Sequence, residues 1–287
     1  MDIRLFHTLW GHEGSVSAAL ASAENYGFDG IEGPAPNHPA ARRDLLSRLD
    51  DTGLSFIAEI TTAGSYVPER CASLETHLST FEIQAEAAAE MCPLFLTVIA
   101  GCDAWPISQS VDLFGAMMEL ARRFEVTLSF ETHRSRSLFN PWVTRDILQQ
   151  LPKMRLTCDF SHWCVVTERL VMDTEPDVLA ICAKHAHHVH ARVGYDQGPQ
   201  VPHPAAPEYR AALDSHERWW SAIWDAHASQ QRESTTMTPE FGPDGYLHTL
   251  PYTKAPVADL DNINRWMAYR QREHFAKRKQ SLDYLIA

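Results

Sequence analysis

Two kinds of apolar pattern alternate along the whole chain. Short β-branched or alternating runs fall near Ile3–Phe6, Gly30–Glu32, Leu54–Ile60, Leu94–Ala100, Val126–Glu131, Arg155–Phe160, His187–Arg192 and Thr235–Phe241, and each has the length and residue types of a strand. Between them lie longer amphipathic stretches near 14–26, 38–51, 69–91, 108–123, 141–151, 175–186, 208–230 and 257–284. In the third of these, Leu74, Leu78, Phe81 and Ala85 recur at spacings of four and three, which makes one buried helix face. Leu213, Trp220, Ile223 and Trp224 mark the seventh, and Leu260, Ile263 and Met267 the eighth, on the same logic. Eight strands alternating with eight helices predict a single-domain (β/α)8 TIM barrel over residues 1–287. A doubly wound open sheet is the alternative, but it would carry a glycine-rich phosphate turn after its first strand, and FHTLWGHEGS lacks that spacing.

Two segments break the alternation, 193–207 after the seventh strand and 242–256 after the eighth. Their proline and glycine exclude regular structure, while their aromatic content speaks against disorder. In a barrel both would stand at the catalytic mouth as partial lids.

Composition narrows the class. With 45% apolar and 22% charged residues over 287 positions, the chain supports a large core. A formal net charge of −12 argues against a general nucleic-acid binder. The late run Arg270, Arg272, Lys277, Arg278 and Lys279 reads as a solvated helix face. Six cysteines without a CxxC pair, no signal-like N-terminus and no long apolar run lead to the expectation of a cytoplasmic protein with reduced thiols and no membrane partner. The segment Arg218-Trp219-Trp220, taken as exposed, hints at a homo-oligomer.

The chemistry sits at strand ends. Glu131 in SFETHR, Asp159 in LTCDFSHW, His190 in HVHARVG and Glu240 in MTPEFGP each close a strand-like run, at gaps of 28, 31 and 50 residues. If the repeats close into a barrel, these side chains converge at one mouth. Three carboxylates and an imidazole make a site for one divalent cation, Mn²⁺ first, with Mg²⁺, Co²⁺ or Zn²⁺ as alternatives. Within the histidine cluster, alternation puts His188 and His190 on one face, with His190 the ligand and His188 behind it. Arg192 follows on the same side, placed to polarise a carbonyl or hold a hydroxyl, or to form a structural ion pair. His7 ends the first strand and Glu32 the second, and both are candidates to contact substrate.

The whole chain resembles the xylose-isomerase-like barrel superfamily of sugar isomerases, epimerases, inosose dehydratases and endonuclease IV. The resemblance rests on an ordered set: a Glu after strand five, Asp-x-x-His after strand six, a His on strand seven and a Glu on strand eight. Glu131, Asp159 with His162, His190 and Glu240 fill those places. It implies that Glu131 and Glu240 are also the acid/base pair, with His162 holding a substrate oxygen and Trp105 offering an aromatic platform. The familiar epimerase arginine lies several residues farther on than Arg192.

The implied activity is a metal-dependent isomerase or epimerase of a small sugar, keto-sugar or polyol, moving a proton through a metal-stabilised enediolate. A lyase acting on a keto-cyclitol or keto-glycoside is the alternative, and a non-catalytic sugar-binding barrel the remote one. The resemblance disfavours an endonuclease: its three-zinc cluster needs extra histidines and an Asp-x-His, whereas here stand Glu59-Ile60-Thr61 and Val201-Pro202-His203.

Overall fold

Eight parallel strands close into one barrel in sequence order, β1 pairing with both β2 and β8. They are β1 Asp2–Thr8, β2 Gly30–Pro34, β3 Ser55–Thr61, β4 Leu96–Ile99, β5 Leu128–Glu131, β6 Leu156–Cys158, β7 Ala186–His190 and β8 Ser234–Thr238. The chain is seen in a computed structural model that describes residues 1–243 and 245–286, with side chains through 280. Asp244, in the 242–256 loop, lies outside the described residues.

Helices α1 Val16–Asn25, α2 Pro39–Thr52, α3 Leu74–Ala89, α4 Ile107–Arg123, α5 Pro141–Gln150, α6 Ser161–Thr167, α7 Pro176–His185, α8 Arg210–Ser229 and α9 Leu260–Ile286 connect and surround the strands. Their starts follow local chemistry. Ser15, Ser73 and Asn140 accept the backbone N–H groups of Ala18, Thr76 and Val143, and Pro141 opens α5 with a preset φ. Gly53, with φ at 69°, ends α2 in the left-handed conformation that an unbranched backbone tolerates best. The short α6 has no counterpart among the expected helices, because seven residues are too few to show a helical period. None of the described helices is long and apolar enough to cross a membrane.

The main core lies between strands and helices, while Phe6, Ile57 and Phe95 form a separate apolar plug inside the barrel. Above that plug the interior turns polar: Glu32, Thr97, Ser129, Thr157, His188 and Thr238 are all fully or almost fully buried. Their hydrogen bonds are made to one another, with Thr157 donating to Ser129 at 2.8 Å and Thr97 to Glu32 at 3.1 Å. Buried polar groups persist only when paired in this way.

The exposed tryptophans expected of Arg218-Trp219-Trp220 are a correction. Trp219 is 1% exposed and Trp220 0%, because α8 packs against both α7 and the barrel and buries more than one face. That ground for a homo-oligomer is therefore gone. The basic run on α9 is tied down by Arg270 to Glu217, Arg272 to the Gly27 carbonyl and Lys279 to Asp2.

Candidate metal centre

The strand registers bring the four expected ligands together. Glu131 ends β5, Asp159 follows β6 by one residue, His190 ends β7 and Glu240 lies two residues past β8. One ligand atom from each lies within 4.8 Å of all the others, and all four residues are buried. His190 Nδ1 stands 3.0 Å from Glu240 Oε2 and 3.6 Å from Glu131 Oε1, yet has no hydrogen-bond partner.

The other side of that imidazole explains why. His190 Nε2 donates to Glu32 Oε1 at 3.1 Å, and His188 Nε2 reaches Glu32 Oε2 at 3.1 Å. Thr97 and Thr238 also donate to the same carboxylate. A proton held on Nε2 leaves the Nδ1 lone pair facing three carboxylates, the donor set of a hard or borderline divalent cation with its histidine oriented from behind. The residues fit such an ion. Glu32 is thus a correction to the expectation of substrate contact: it is fully buried beneath the histidines.

Burial opposes charge on His190, but Glu240, Glu32 and Glu131 outweigh it and hold the imidazole well above its ordinary range. Without an ion the same carboxylates favour a second proton on His190, which a bound cation would displace from Nδ1. Burial pushes Glu131 up to about 7, against the pull of His190. Burial also raises Asp159, with Arg192 opposing. Crowded carboxylates that resist ionisation are the signature of a site that gains from a cation. For Glu32, burial raises the carboxyl but His188 and His190 overcome it, leaving it well below the usual range.

Beside this cluster lies a cavity of about 130 Å³, well above the roughly 10–15 Å³ that one water requires. Glu131 and Glu240 line one part, Glu59, Thr61 and Ile99 another, and the rings of Trp10, Tyr66, His133 and Tyr246 close it. Arg192 also lines it: its guanidinium pairs with Asp159, lies 3.7 Å from Glu240 Oε2 and sits over Tyr246 and Trp10, 4.8 and 5.3 Å from their centroids. Burial works against that charge, and Asp159 and Glu240 keep it in place. So Arg192 is both ion-paired and open to a ligand.

His162 stands close to the cluster, its Nε2 3.6 Å from Asp159 Oδ2 and 3.9 Å from Glu131 Oε1. That nitrogen accepts from Arg192 at 2.6 Å, and burial with His133 and Arg192 nearby keeps the ring neutral. It is not among the groups lining the cavity.

Two expected substrate contacts lie elsewhere. Trp105 packs edge-on against His77 at 4.9 Å, because the loop after β4 turns it toward α3. His7 faces a different recess, formed by the loop after β1 and the loop after β8. Missed by sequence reasoning are Glu59, Trp10, Tyr66, His133 and Tyr246. His133 is the exception that had a signal, standing two residues after Glu131 on the same side.

No protein-family model matches the sequence, and no curated protein matches it. Solved structures do. L-ribulose 3-epimerase is similar at 15% identity and a TM-score of 0.66, over 100% of this chain and 99% of that one. The IOLI protein with a bound zinc atom follows at 13% and 0.64, over 96% and 99%. Endonuclease IV from Thermus thermophilus stands at 14% and 0.59, over 96% and 100%. These are xylose-isomerase-like TIM barrels, as the strand-end motifs led one to expect, and at such identities the likeness shows a shared fold.

Proposed function

We propose that this chain is a divalent-metal-dependent isomerase or epimerase of a small keto-sugar or polyol. The observation that carries the reading is His190 Nδ1, unpartnered among three carboxylates, two of which also line a cavity. Glu131, Asp159, His190 and Glu240 would hold the ion, Mn²⁺ in the first instance. When bound, such an ion supplies Lewis-acid stabilisation of negative charge developing on a substrate oxygen.

The chain's own groups do the rest. One of Glu131 and Glu240 takes a carbon-bound proton next to a carbonyl, and the other returns a proton to the carbon skeleton. Arg192 holds a substrate oxygen from the cavity wall, and His162 positions Arg192 through its Nε2. Trp10 and Tyr246 exclude water from the reacting face. Sugar epimerases among the similar folds support this reading. A dehydratase reading draws on the same carboxylate pair and on the similar fold of a probable 3-DHS dehydratase. The net charge of −12 favours a small-molecule partner over nucleic acid, and six free cysteines favour the cytoplasm.

The test is a screen of keto-sugars, cyclitols and keto-glycosides with Mn²⁺ in D₂O, read by NMR. The expected result is deuterium at a carbon beside the carbonyl, suppressed by at least ~10²-fold in Glu240→Gln, the scale of a positioned acid/base. Water loss in the product would identify the dehydratase. Turnover without solvent exchange would end the proton-transfer reading.

A further inference from the structure

The ligand set comes from β5 to β8, one half of the barrel; the other half sends a single carboxyl into the same cavity. Glu59 lies on β3, which in the closed ring of eight strands stands opposite β7 with its His190 and, just beyond, Arg192. Thr61, two residues on and therefore on the same face, lines the cavity beside it. Glu59 is outside the four-residue ligand set. Its Oε1 is buried without a hydrogen-bond partner, and no ion pair or hydrogen bond engages its side chain among the described residues. The carboxylates of Glu32, Asp159 and Glu240, by contrast, each have a histidine or arginine beside them.

A buried carboxyl oxygen with no donor is costly and rare, and calls for a partner that arrives with the ligand. The geometry defines what that partner is. A molecule whose reacting carbons lie against Glu131 and Glu240 turns its remaining edge toward β3, where a carboxyl and a threonine hydroxyl are the polar groups on offer. Ile99 alongside them offers only apolar contact.

We propose that Glu59, with Thr61, forms a hydroxyl-recognition subsite that binds the substrate's edge remote from the metal ligands and selects polyhydroxylated over deoxygenated substrates. This rests on the small-sugar reading above and assigns the β3 wall of the cavity a role in it. A carboxyl accepts a hydroxyl hydrogen bond in either protonation state, so the subsite does not depend on pH for its sense.

The experiment measures binding, independently of turnover. Mn²⁺-loaded wild type, Glu59→Leu and Glu59→Gln are titrated calorimetrically with glycerol, erythritol and xylitol, and each protein's Mn²⁺ affinity is measured alongside. Wild type should bind more tightly as hydroxyls are added. Glu59→Leu should lose that gain by roughly 10-fold or more, the scale of a hydrogen bond to a carboxyl, with Mn²⁺ affinity unchanged. Glu59→Gln, which keeps an acceptor and adds a donor, should retain most of it. Equal polyol affinities in wild type and Glu59→Leu, or no polyol binding by wild type, would overturn the subsite. Failure of the metal-dependent proton-transfer reading would show instead as absent solvent exchange with an intact polyol series.

Discussion

Replacing Glu32 with Gln tests how the histidine ligand is oriented. The change keeps shape but turns one carboxylate oxygen into an amide NH₂, against four donors that now converge on Glu32: His190 Nε2, His188 Nε2, Thr97 and Thr238. If the NH₂ faces His190, the imidazole must move its proton to Nδ1, which removes the lone pair that faces Glu131 and Glu240. If it faces His188, that ring can shift its proton to Nδ1, where Thr236 Oγ1 lies at 2.8 Å, but Thr238 must reorient and His190 still loses a charged partner. Loss of such a supporting carboxylate costs about 10–100-fold in metal affinity, or about 1.4–2.8 kcal/mol. One orphaned buried donor would lower the stability of the metal-free protein by about 1–3 kcal/mol. Mn²⁺ affinity is read by competition with a fluorescent chelator, and stability by urea unfolding with metal removed. A variant that binds Mn²⁺ within ~3-fold of wild type would refute the claim that Glu32 sets the His190 tautomer.

Two further outcomes follow from the packing. Trp220→Ala, at a fully buried position on α8, should cost about 3–5 kcal/mol in urea unfolding; a loss below ~1 kcal/mol would mean that the ring is not core. Stability should also fall as pH drops from about 6.5 to about 4, because burial lowers His216 to about 4 in the folded chain. Its Nε2 accepts the Gly194 backbone N–H at 3.3 Å and its Nδ1 donates to the Ala212 carbonyl at 2.9 Å, so a second proton, on Nε2, would point at the Gly194 N–H. The unfolded chain takes that proton first, at about 6.5, so stability is kept above this value and lost through the window below it, by roughly 3 kcal/mol for this one residue. His216→Gln should flatten the slope of urea midpoint against pH; an unchanged slope would assign the acid sensitivity to other groups.

Much of the barrel was legible because its strands and helices differ in period, and a strand that ends in a lone carboxylate or histidine announces the mouth. Glu131, Asp159, His190 and Glu240 were readable for that reason. Glu59 was not, since a glutamate inside Ser55–Thr61 looks like ordinary strand alternation until closure turns that face inward. Trp10 and Tyr246 meet at 5.0 Å across a separation that no local period encodes, because both lie in irregular loops. Trp105 and Trp219 were misplaced for a related reason. A tryptophan marks contact in the sequence, but only tertiary packing decides whether it meets His77, the core or a ligand.

The proposed chemistry turns on one divalent ion held by four named side chains. Equilibrium dialysis of metal-stripped protein against Mn²⁺, followed by mass-spectrometric metal analysis, tests it on wild type and on Glu131→Ala, Asp159→Ala, His190→Ala and Glu240→Ala. Wild type should take up about one ion per chain, and each variant should bind it at least ~10-fold more weakly, with melting of the metal-free proteins still cooperative. Unchanged metal content in all four variants, or no saturable binding by wild type, would rule the four-ligand site out.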